Sequence, residues 1–228
     1  MKKSEATIQK LYSLEHTIAA PLLQKFEYPW EALREIHAFI LELGPTLDPA
    51  EWNNPSENVW VHKSVKIINP MNYTIQGPAI IGAGTEIRPG AFIRKDVIIG
   101  ENCVVGNSSE YKNVIIFDNV QTPHFNYLGD SIMGYKSHTG CQSLTSNVKS
   151  DKTLVKVHFD DGDVETGLKK FGAMIGDCVE VGCGAVMNPG TVIGKNAQIY
   201  PLSSVRGTVD AGSIYKKRGE IVAKEEQL

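Results

Sequence analysis

The sequence predicts an all-β solenoid, in which short parallel strands coil around a triangular core. Two runs of the chain carry an aliphatic or methionine side chain at every sixth position, and four residues after each comes a smaller or β-branched side chain. Glycine directly follows many of the aliphatic residues, as at Gly82, Gly100 and Gly176. The two series are Ile75, Ile81, Ile87, Ile93, Ile99 and Val105, and then Ile175, Val181, Met187, Ile193, Ile199 and Val205.

A helix cannot use a six-residue period, because six steps of about 100° spread the aliphatic side chains over several faces. In a strand, residues two apart share a face, so each small residue and the aliphatic residue two positions later both point inward. A corner must follow, and glycine permits the backbone conformation of a tight corner. Such stacked faces form a hexapeptide-repeat parallel β-helix. Proteins of that class are left-handed and usually trimeric, and resemblance to them implies a left-handed β-helix and a homotrimer here.

Residues 1–50 lack the six-residue period and precede the solenoid. Their apolar residues recur at helical spacing in two segments that are broken near Pro21 and Pro29, and Gly44 and Pro45 follow the second segment. We therefore expect an α-helical N-terminal arm that flanks the β-helix and is not an independent domain.

The β-helix domain is predicted over residues 51–212, with a C-terminal tail over residues 213–228. An irregular stretch from 110 to 172 separates the two regular series. Within it, two strand-like runs flank an Asp-Gly turn at Gly162, which predicts a β-hairpin inserted at about residues 150–170. Loops on a rigid scaffold often bear binding and catalytic side chains, so we look for function near this stretch.

The composition excludes several classes of protein. With 42% apolar and 21% charged residues, the chain as a whole is not intrinsically disordered. A formal charge of −3 offers no basic surface for a nucleic-acid duplex, and no segment reaches the roughly 20 apolar residues of a membrane span. Four cysteines without a Cys-x-x-Cys pair favour a reduced, cytoplasmic setting. We expect no metal site, no nucleic-acid partner and no signal peptide.

Five sequence elements follow one another within residues 75–218. They are an Arg-Pro-Gly (Arg88 to Gly90), a Gly-Asn-x-x-Glu-x-Lys (Gly106 to Lys112), a His-x-x-Tyr-Leu-Gly-Asp (His124 to Asp130), an Asn (Asn147) and a Lys-Phe-Gly-Ala-Met-Ile-Gly-Asp (Lys170 to Asp177). This ordered set closely resembles the acetyltransferase half of the bifunctional glucosamine-1-phosphate N-acetyltransferase and UDP-N-acetylglucosamine pyrophosphorylase family.

That resemblance implies an acyltransferase. It implies CoA-dependent N-acetyl transfer to glucosamine 1-phosphate or a similar amino-sugar phosphate, for UDP-N-acetylglucosamine or cell-envelope sugar synthesis, with acetyl-CoA as co-substrate. The chain has no Gly-rich pyrophosphorylase loop, so we expect no nucleotidyltransferase activity from it.

The resemblance also makes His124 the general base and Glu110 the residue that orients its imidazole. An ammonium group must lose a proton before its nitrogen attacks a thioester, and imidazole, with a reference pKa of about 6.5, is suited to accept that proton near neutral pH. The alternative is that His124, which follows Pro123, is an ordinary loop histidine.

A sugar phosphate needs cationic donors, and arginine suits a phosphate through its planar fork of N–H groups. Arg88 stands in the Arg-Pro-Gly motif, whereas Arg94 has the family's spacing to Lys112, so the sequence leaves both as candidates. The resemblance places the acceptor-binding positions at Arg88 or Arg94, Lys112, Tyr127, His138, Asn147 and Lys170. For each of them the alternative is that the side chain is ordinary solvated surface.

The same resemblance places CoA along the second series of coils, against a neighbouring subunit. Its cofactor-binding positions correspond to Cys141, Cys183, Pro201 and Arg218. For Arg218 the alternative is a solvated tail.

Five positions depart from the family pattern near the acceptor and the acyl pocket. His138 stands where the family has Asn, Val148 where it has Tyr, and Cys141-Gln142-Ser143 where it has Ala-Gly-Thr. These changes leave open a second class of function, a non-catalytic hexapeptide-repeat binding or assembly module that lost its acceptor chemistry. A hexapeptide carbonic anhydrase is disfavoured, because none of the six histidines forms the His-x4-His pair that its zinc site needs.

Overall fold

The computed structural model describes residues 1–217 and 220–223. It is a β-helix of about nine turns, and the predicted left-handed parallel β-helix with an N-terminal helical arm and an inserted hairpin is confirmed. Strands one turn apart pair in parallel and in register. Each turn therefore repeats the same three faces, which we name A, B and C.

The strands are short, and two of them bend around a corner from one face to the next. Face A contains β4 (Thr74–Ile75), β7 (Phe92–Ile93), the first halves of β10 (Glu110–Ile116) and β12 (Tyr127–Met133), β14 (Leu144–Thr145), β19 (Val186–Met187) and β22 (Ser204–Val205). Face C contains β2 (Val59–His62), β5 (Ala79–Ile81), β8 (Val97–Ile99), the second halves of β10 and β12, β17 (Ala173–Ile175), β20 (Thr191–Ile193) and β23 (Thr208–Val209). Face B contains β3 (Lys66–Ile67), β6 (Glu86–Ile87), β9 (Val104–Asn107), β11 (Gln121–His124), β13 (His138–Thr139), β18 (Glu180–Val181), β21 (Gln198–Ile199) and β24 (Ser213–Lys217).

Both inward positions of the six-residue period face the core. The small or β-branched residues of the two series are at most 6% exposed, the highest value being that of Ser203. The aliphatic residues are at most 2% exposed, except for Ile75 in the first turns, which is partly buried. The inward assignment made from the sequence is therefore correct along the solenoid.

The solenoid continues through residues 110–145, where the sequence suggested an irregular stretch. Ile93 pairs with Tyr111, eighteen residues later, but Tyr111 pairs with Leu128, only seventeen residues later. A turn that is one residue shorter breaks the period in the sequence without interrupting the strand pairing. Thr145 then pairs with Met187, so the chain leaves the solenoid only between 146 and 172.

The inserted segment contains the predicted antiparallel hairpin, with two-residue strands β15 (Lys156–Val157) and β16 (Val164–Glu165). It packs against the corner between faces A and C at Gly190. The backbone of Gly190 has φ +82°, and a Cβ atom there would lie 2.7 Å from the Lys156 carbonyl oxygen. Glycine is therefore required for this close approach of two backbones.

The N-terminal arm consists of short helical segments. The α-helices are α1 (Ile8–Leu11), α2 (Ala20–Leu23) and α3 (Ile36–Leu43), and the 3-10 helices are Lys3–Ala6, Leu14–His16, Pro29–Arg34 and Gly44–Thr46. Tyr12 packs on Phe117, with ring centroids 5.1 Å apart, and Trp30 packs on Phe171 at 5.7 Å. The arm thus covers the outer side of face C from β5 to β20, where the outward residues are fully buried: Ile80, Ile98, Ile115, Ile132, Met174 and Val192.

Both ends of the solenoid are closed by an antiparallel strand. β1 (Trp52–Ser56) pairs with β2, and β25 (Glu220–Ala223) pairs with β24. Because β24 also pairs in parallel with β21, the solenoid pairing extends to residue 217, past the expected boundary at 212. Among the described residues, no helix has the length and apolar character needed to cross a membrane.

Candidate active site

The corner between faces B and A stacks one residue from each turn in a continuous column. The residue after each member donates its backbone N–H to the member one turn below, as from Gln142 to the His124 carbonyl (3.1 Å) and from Gly184 to the Cys141 carbonyl (2.8 Å). The predicted base and three predicted cofactor positions therefore lie in one line, which we name the corner column. Its members are Pro89, Asn107, His124, Cys141, Cys183 and Pro201.

His124 ends β11 with an exposed side chain and a fixed backbone. Its N–H donates to Oδ1 of Asn126 (3.1 Å), and the Asn126 amide, 2% exposed, donates to the Gly140 carbonyl (2.8 Å). Within the part of the chain that the structure describes, the His124 imidazole has no hydrogen-bond or ion-pair partner. Both ring nitrogens are therefore open to a ligand.

Glu110 contacts Arg94 and does not contact His124 in this structure. Its Oε1 lies 2.8 Å from Nη1 of Arg94, and each side chain is about one-third exposed, at 35% and 37%. A salt bridge this exposed contributes little to the stability of the protein. Its main effect is to fix the position of the Arg94 guanidinium. Orientation of His124 by Glu110 stays a prediction, since catalytic hydrogen bonds often tighten only in the substrate complex.

The two candidate arginines lie on different faces. Arg88 follows β6 on face B, and its Nε donates to Oε1 of Glu86 in the same strand (2.7 Å). Arg94 follows β7 on face A, one turn from Lys112. The structure thus brings Arg94, and not Arg88, beside the other acceptor positions on face A.

Lys112 lies on the outer side of face A with Lys170 and Arg94 nearby. Burial lowers the pKa of the Lys112 ammonium, and the positive charges of Lys170 and Arg94 lower it further, whereas the Asp130 carboxylate opposes the shift. Three cations converge here, so a bound anion would relieve their mutual repulsion.

Tyr127 and Asn147 form a hydrogen-bonded pair next to Lys112. Nδ2 of Asn147 donates to the Tyr127 hydroxyl (3.3 Å) and to Oδ2 of Asp130 (2.5 Å). Burial raises the pKa of Tyr127, and the charges of Asp130 and Glu110 raise it further, so the phenol stays protonated and can donate. The Tyr127 hydroxyl lies across Gly129, where a Cβ atom would be 2.5 Å from it.

Asp130 is the residue of this site that sequence reasoning did not single out. It is 4% exposed, has φ +49°, and also accepts from Nδ2 of Asn113 (2.9 Å). It therefore positions the Asn147 amide from below and places a negative charge near Lys112. Its position at the end of the His124 motif could have predicted it as a corner residue of the site, because Asp tolerates the left-handed backbone conformation of a corner.

His138 lies apart from the face A cluster. It begins β13 on face B, and its Nδ1 is 2.9 Å from Oε2 of Glu180. The corner column separates it from Lys112 and Tyr127. One chain by itself therefore does not bring all predicted acceptor residues together.

The predicted cofactor positions are accessible where the structure describes them. Cys141 is half-buried, Cys183 and Pro201 are exposed, and both thiols are free. Arg218 lies outside the described residues. Beside the column, Phe125 and Leu202 have φ +51° and +59° and are 53% and 85% exposed. Bulky residues seldom adopt this conformation, and together they give the corner an exposed apolar surface.

These features together permit acyl transfer to an amine. The His124 imidazole is open on the corner column, and the cationic patch of Arg94, Lys112 and Lys170 lies on the neighbouring face A. In the described part of the chain no three His, Cys, Asp or Glu side chains are grouped to hold a metal ion. A hexapeptide β-helix with this corner site defines the class of hexapeptide-repeat acyltransferases.

Comparison with known proteins narrows this class. The family model of the GMPPB C-terminal domain matches residues 75–158. The chain is 38% identical over 171 residues to the bifunctional protein GlmU of Methanococcus aeolicus, which covers 67% of this chain and 41% of GlmU. It is 35% identical over 188 residues to the bifunctional sugar-1-phosphate nucleotidylyltransferase/acetyltransferase of Sulfurisphaera tokodaii, covering 72% of this chain and 47% of that protein.

A third relative is of similar length to this chain. YaiX of Escherichia coli K12, an acetyltransferase by name, is 32% identical over 164 residues, which cover 64% of this chain and 71% of YaiX. The chain belongs to the hexapeptide-repeat acyltransferase family related to GlmU. It spans about half the length of the bifunctional relatives that it matches.

Proposed function

We propose that the protein is a CoA-dependent N-acetyltransferase that acts on an amino-sugar phosphate, glucosamine 1-phosphate or a similar compound, for UDP-N-acetylglucosamine or cell-envelope sugar synthesis. One observation above all supports this proposal. His124 stacks in the corner column directly beneath Cys141 and Cys183, the positions expected to line the pantetheine groove, and adjoins the cationic patch on face A. The proposal thus places base and thioester along one corner and the phosphate on the face beside it.

The residues have distinct roles in this proposal. Arg94, Lys112 and Lys170 hold the phosphate, while Tyr127 and Asn147 hydrogen-bond to the acceptor. His124 takes a proton from the acceptor ammonium and releases it to solvent. As the freed amine nitrogen forms a bond to the acetyl carbonyl carbon, the neutral imidazole takes a second proton from that nitrogen. The carbon–sulfur bond then breaks, and the imidazolium gives this second proton to the departing CoA thiolate. No acyl-enzyme is involved.

The proposal includes a homotrimer. His138 and the face A cluster lie on opposite sides of the corner column, so a second copy is needed to bring a His138 near the acceptor. The exposed apolar Phe125 and Leu202 beside the column suit such a contact. Light scattering on the purified chain should give three times its mass of 25.0 kDa. We place its action in the cytoplasm, which is consistent with free thiols at all four cysteines.

The test is CoA release from acetyl-CoA with glucosamine 1-phosphate and a panel of other amino-sugar phosphates. With the preferred acceptor, His124→Ala should lower kcat by about 100-fold or more while CoA still binds. His62→Ala, a histidine at the first turns of the solenoid, is the matched control and should retain full activity. Absence of turnover with every acceptor, or undiminished turnover by His124→Ala, would refute the proposal.

A non-catalytic binding or assembly module is the second candidate. The pairing of His138 with Glu180, away from face A, favours it. Calorimetry with CoA separates the two candidates, because a chain that neither binds CoA nor turns over acetyl-CoA would be such a module.

A further inference from the structure

A cleft of about 590 Å³ opens between the inserted segment and the upper turns of face A. None of the predicted site residues lines it. We name it the insertion cleft. Its polar lining comes from the solenoid and from the insertion alike, and includes Ser146, Lys149, Lys156, His158, Asn188 and Arg206.

The insertion cleft is continuous with the cationic patch. The second outward position of face A forms a strip that runs up the solenoid, one residue per turn: Arg94, Lys112, Gly129, Ser146, Asn188 and Arg206. Neighbouring turns are about 4.8 Å apart, so Asn188 lies roughly 14 Å from Lys112 along the strip. At the Gly129 step the strip is covered by the Tyr127 ring, whose hydroxyl lies 2.5 Å from the place of a Cβ atom, so a ligand that follows the strip contacts this phenol.

The cleft contains one unpaired cation among the described residues. Lys149, Lys156 and Arg206 line it together with Asp151, and Asp163 pairs with the lining residue His158 at 2.8 Å. Lys149 pairs with Asp151 and Lys156 with Glu165, but Arg206 has no ion-pair partner within the described residues. An exposed, unpaired guanidinium on the wall of a cleft is suited to bind a phosphate.

The walls of the cleft are fixed in place. Gly190 and Gly207 seat the insertion on the solenoid, with φ +82° and +76°. On its other side the insertion is held by the arm, where Nη2 of Arg34 donates to the Gly167 carbonyl (2.6 Å) and Trp30 lies 5.7 Å from Phe171. The site is therefore already formed, as binding pockets usually are.

We propose that the insertion cleft binds the nucleoside-phosphate part of the acceptor, which makes the acceptor class a nucleoside-diphosphate amino sugar. This inference rests on the proposed function. The amino sugar lies beside His124, and its diphosphate runs up the strip from that turn toward Arg206, three turns or roughly 14 Å away. Pro189 and Val148 offer apolar contacts to the base and ribose.

Binding to the full chain, measured by calorimetry, tests the cleft independently of catalysis. Uridine diphosphate and thymidine diphosphate are the probes, and at least one should bind. Arg206→Ala and Arg206→Gln should each weaken that binding by about 10- to 100-fold, because a charge-assisted hydrogen bond is lost. Lys66→Ala, an exposed cation on face B, should change nothing. Unaltered diphosphate affinity in both Arg206 variants, with native thermal unfolding, would overturn the proposal.

CoA also contains a nucleoside phosphate, so a further arm distinguishes the sources. Adenosine 3′,5′-bisphosphate should bind equally well to the parent and to Arg206→Ala, because we place CoA at the corner column. Arg206-dependent binding of this compound alone would assign the cleft to CoA and overturn the acceptor assignment.

Kinetics separate failure of this inference from failure of the proposed function. UDP-glucosamine should have a higher kcat/KM than glucosamine 1-phosphate, and Arg206→Ala should abolish that difference while leaving glucosamine 1-phosphate turnover unchanged. Turnover of glucosamine 1-phosphate without a nucleotide preference would overturn only the cleft. Arg206-dependent diphosphate binding without any acyl transfer would support the cleft and refute the proposed function.

Discussion

The Arg94 guanidinium lies 2.8 Å from the Glu110 carboxylate, across one turn of face A. The sequence left Arg94 as one of two candidates for the acceptor phosphate, and the family resemblance assigned Glu110 to the catalytic histidine, so this contact joins residues that were expected to have separate roles. Glu110 holds one end of the guanidinium fork, which leaves its other N–H groups free to point along the strip toward Lys112. The carboxylate thereby acts as a positioning group for the cationic patch.

Arg94→Gln should raise the KM for the sugar phosphate by about 10- to 100-fold with a smaller change in kcat, because a charge-assisted hydrogen bond to the phosphate is lost. Arg88→Gln is the matched comparison, and its KM should change less than threefold, since Arg88 pairs with Glu86 on face B. Steady-state kinetics with varied acceptor decide the matter. The reverse ranking would assign the phosphate to Arg88.

The six-residue period predicted most of the fold, because both inward positions repeat wherever a turn has eighteen residues. It failed between Tyr111 and Thr145, where turns of seventeen residues keep their strand pairing but shift the sequence register by one. Corner residues such as Asn113 and Asp130 absorb that difference with a left-handed backbone. A single sequence contains no sign of that adjustment until the pairing is seen.

The site was predicted less completely than the fold. The motif spacing named His124, Lys112, Tyr127 and Asn147 as candidates, and strand geometry brings the last three together on face A. Spacing along the chain did not reveal which face a corner residue takes, so it left Arg88 and Arg94 unresolved. Nor did it predict the insertion cleft, because Arg206 and Lys156 meet there only through the docking of the insertion on Gly190.

As the pH rises, acceptor binding should weaken at a lower pH than it would if Lys112 had the pKa of an ordinary lysine. Only the protonated Lys112 attracts the phosphate, and burial, with Lys170 and Arg94 nearby, holds its pKa below the usual value of about 10.4. The bound phosphate favours the ammonium form, so binding takes up a proton on the alkaline side. Lys112→Arg stays charged and should retain its affinity to higher pH. Calorimetric titrations of glucosamine 1-phosphate across the alkaline range measure this, and parallel curves for the two proteins would contradict it.

Asp130→Asn should destabilise the protein by about 1–3 kcal/mol, because the buried carboxylate accepts hydrogen bonds from two amides and a substituted amide cannot accept both equally well. The displaced Asn147 should also raise the acceptor KM. Urea unfolding at constant m-value gives the first quantity and kinetics the second. Asp151→Asn, at an exposed carboxylate, is the control. An Asp130→Asn variant with unchanged stability and an unchanged acceptor KM would show that Asp130 does not position the acceptor-binding residues.

Cys183 should react with a maleimide, and CoA should protect it. Its thiol is exposed in the corner column, where the pantetheine chain is expected to lie. Cys178, half-buried at the corner between faces C and B, should react at a rate that CoA does not change. Cys103 should not react in the native state, because burial raises its pKa to about 12 and its thiol donates to the Phe117 carbonyl (3.1 Å). Mass spectrometry of each labelled peptide distinguishes these cases, and an unprotected Cys183 would exclude the column as the CoA groove.

Trp30→Ala should lower the free energy of unfolding by about 3–5 kcal/mol, the usual cost of deleting a buried aromatic side chain. Trp30 is 2% exposed and packs against Phe159 in the hairpin and Phe171 at the end of the insertion, so its loss opens a cavity between arm and hairpin. Trp52→Ala, at a partly buried tryptophan that packs on the edge of the core and meets the His62 ring edge-on, should cost clearly less. Urea unfolding of both variants makes the comparison. Because the arm holds the insertion through Trp30, Trp30→Ala should also bind uridine diphosphate more weakly. An equal loss of stability in both variants, with intact diphosphate binding, would show that the arm does not support the cleft.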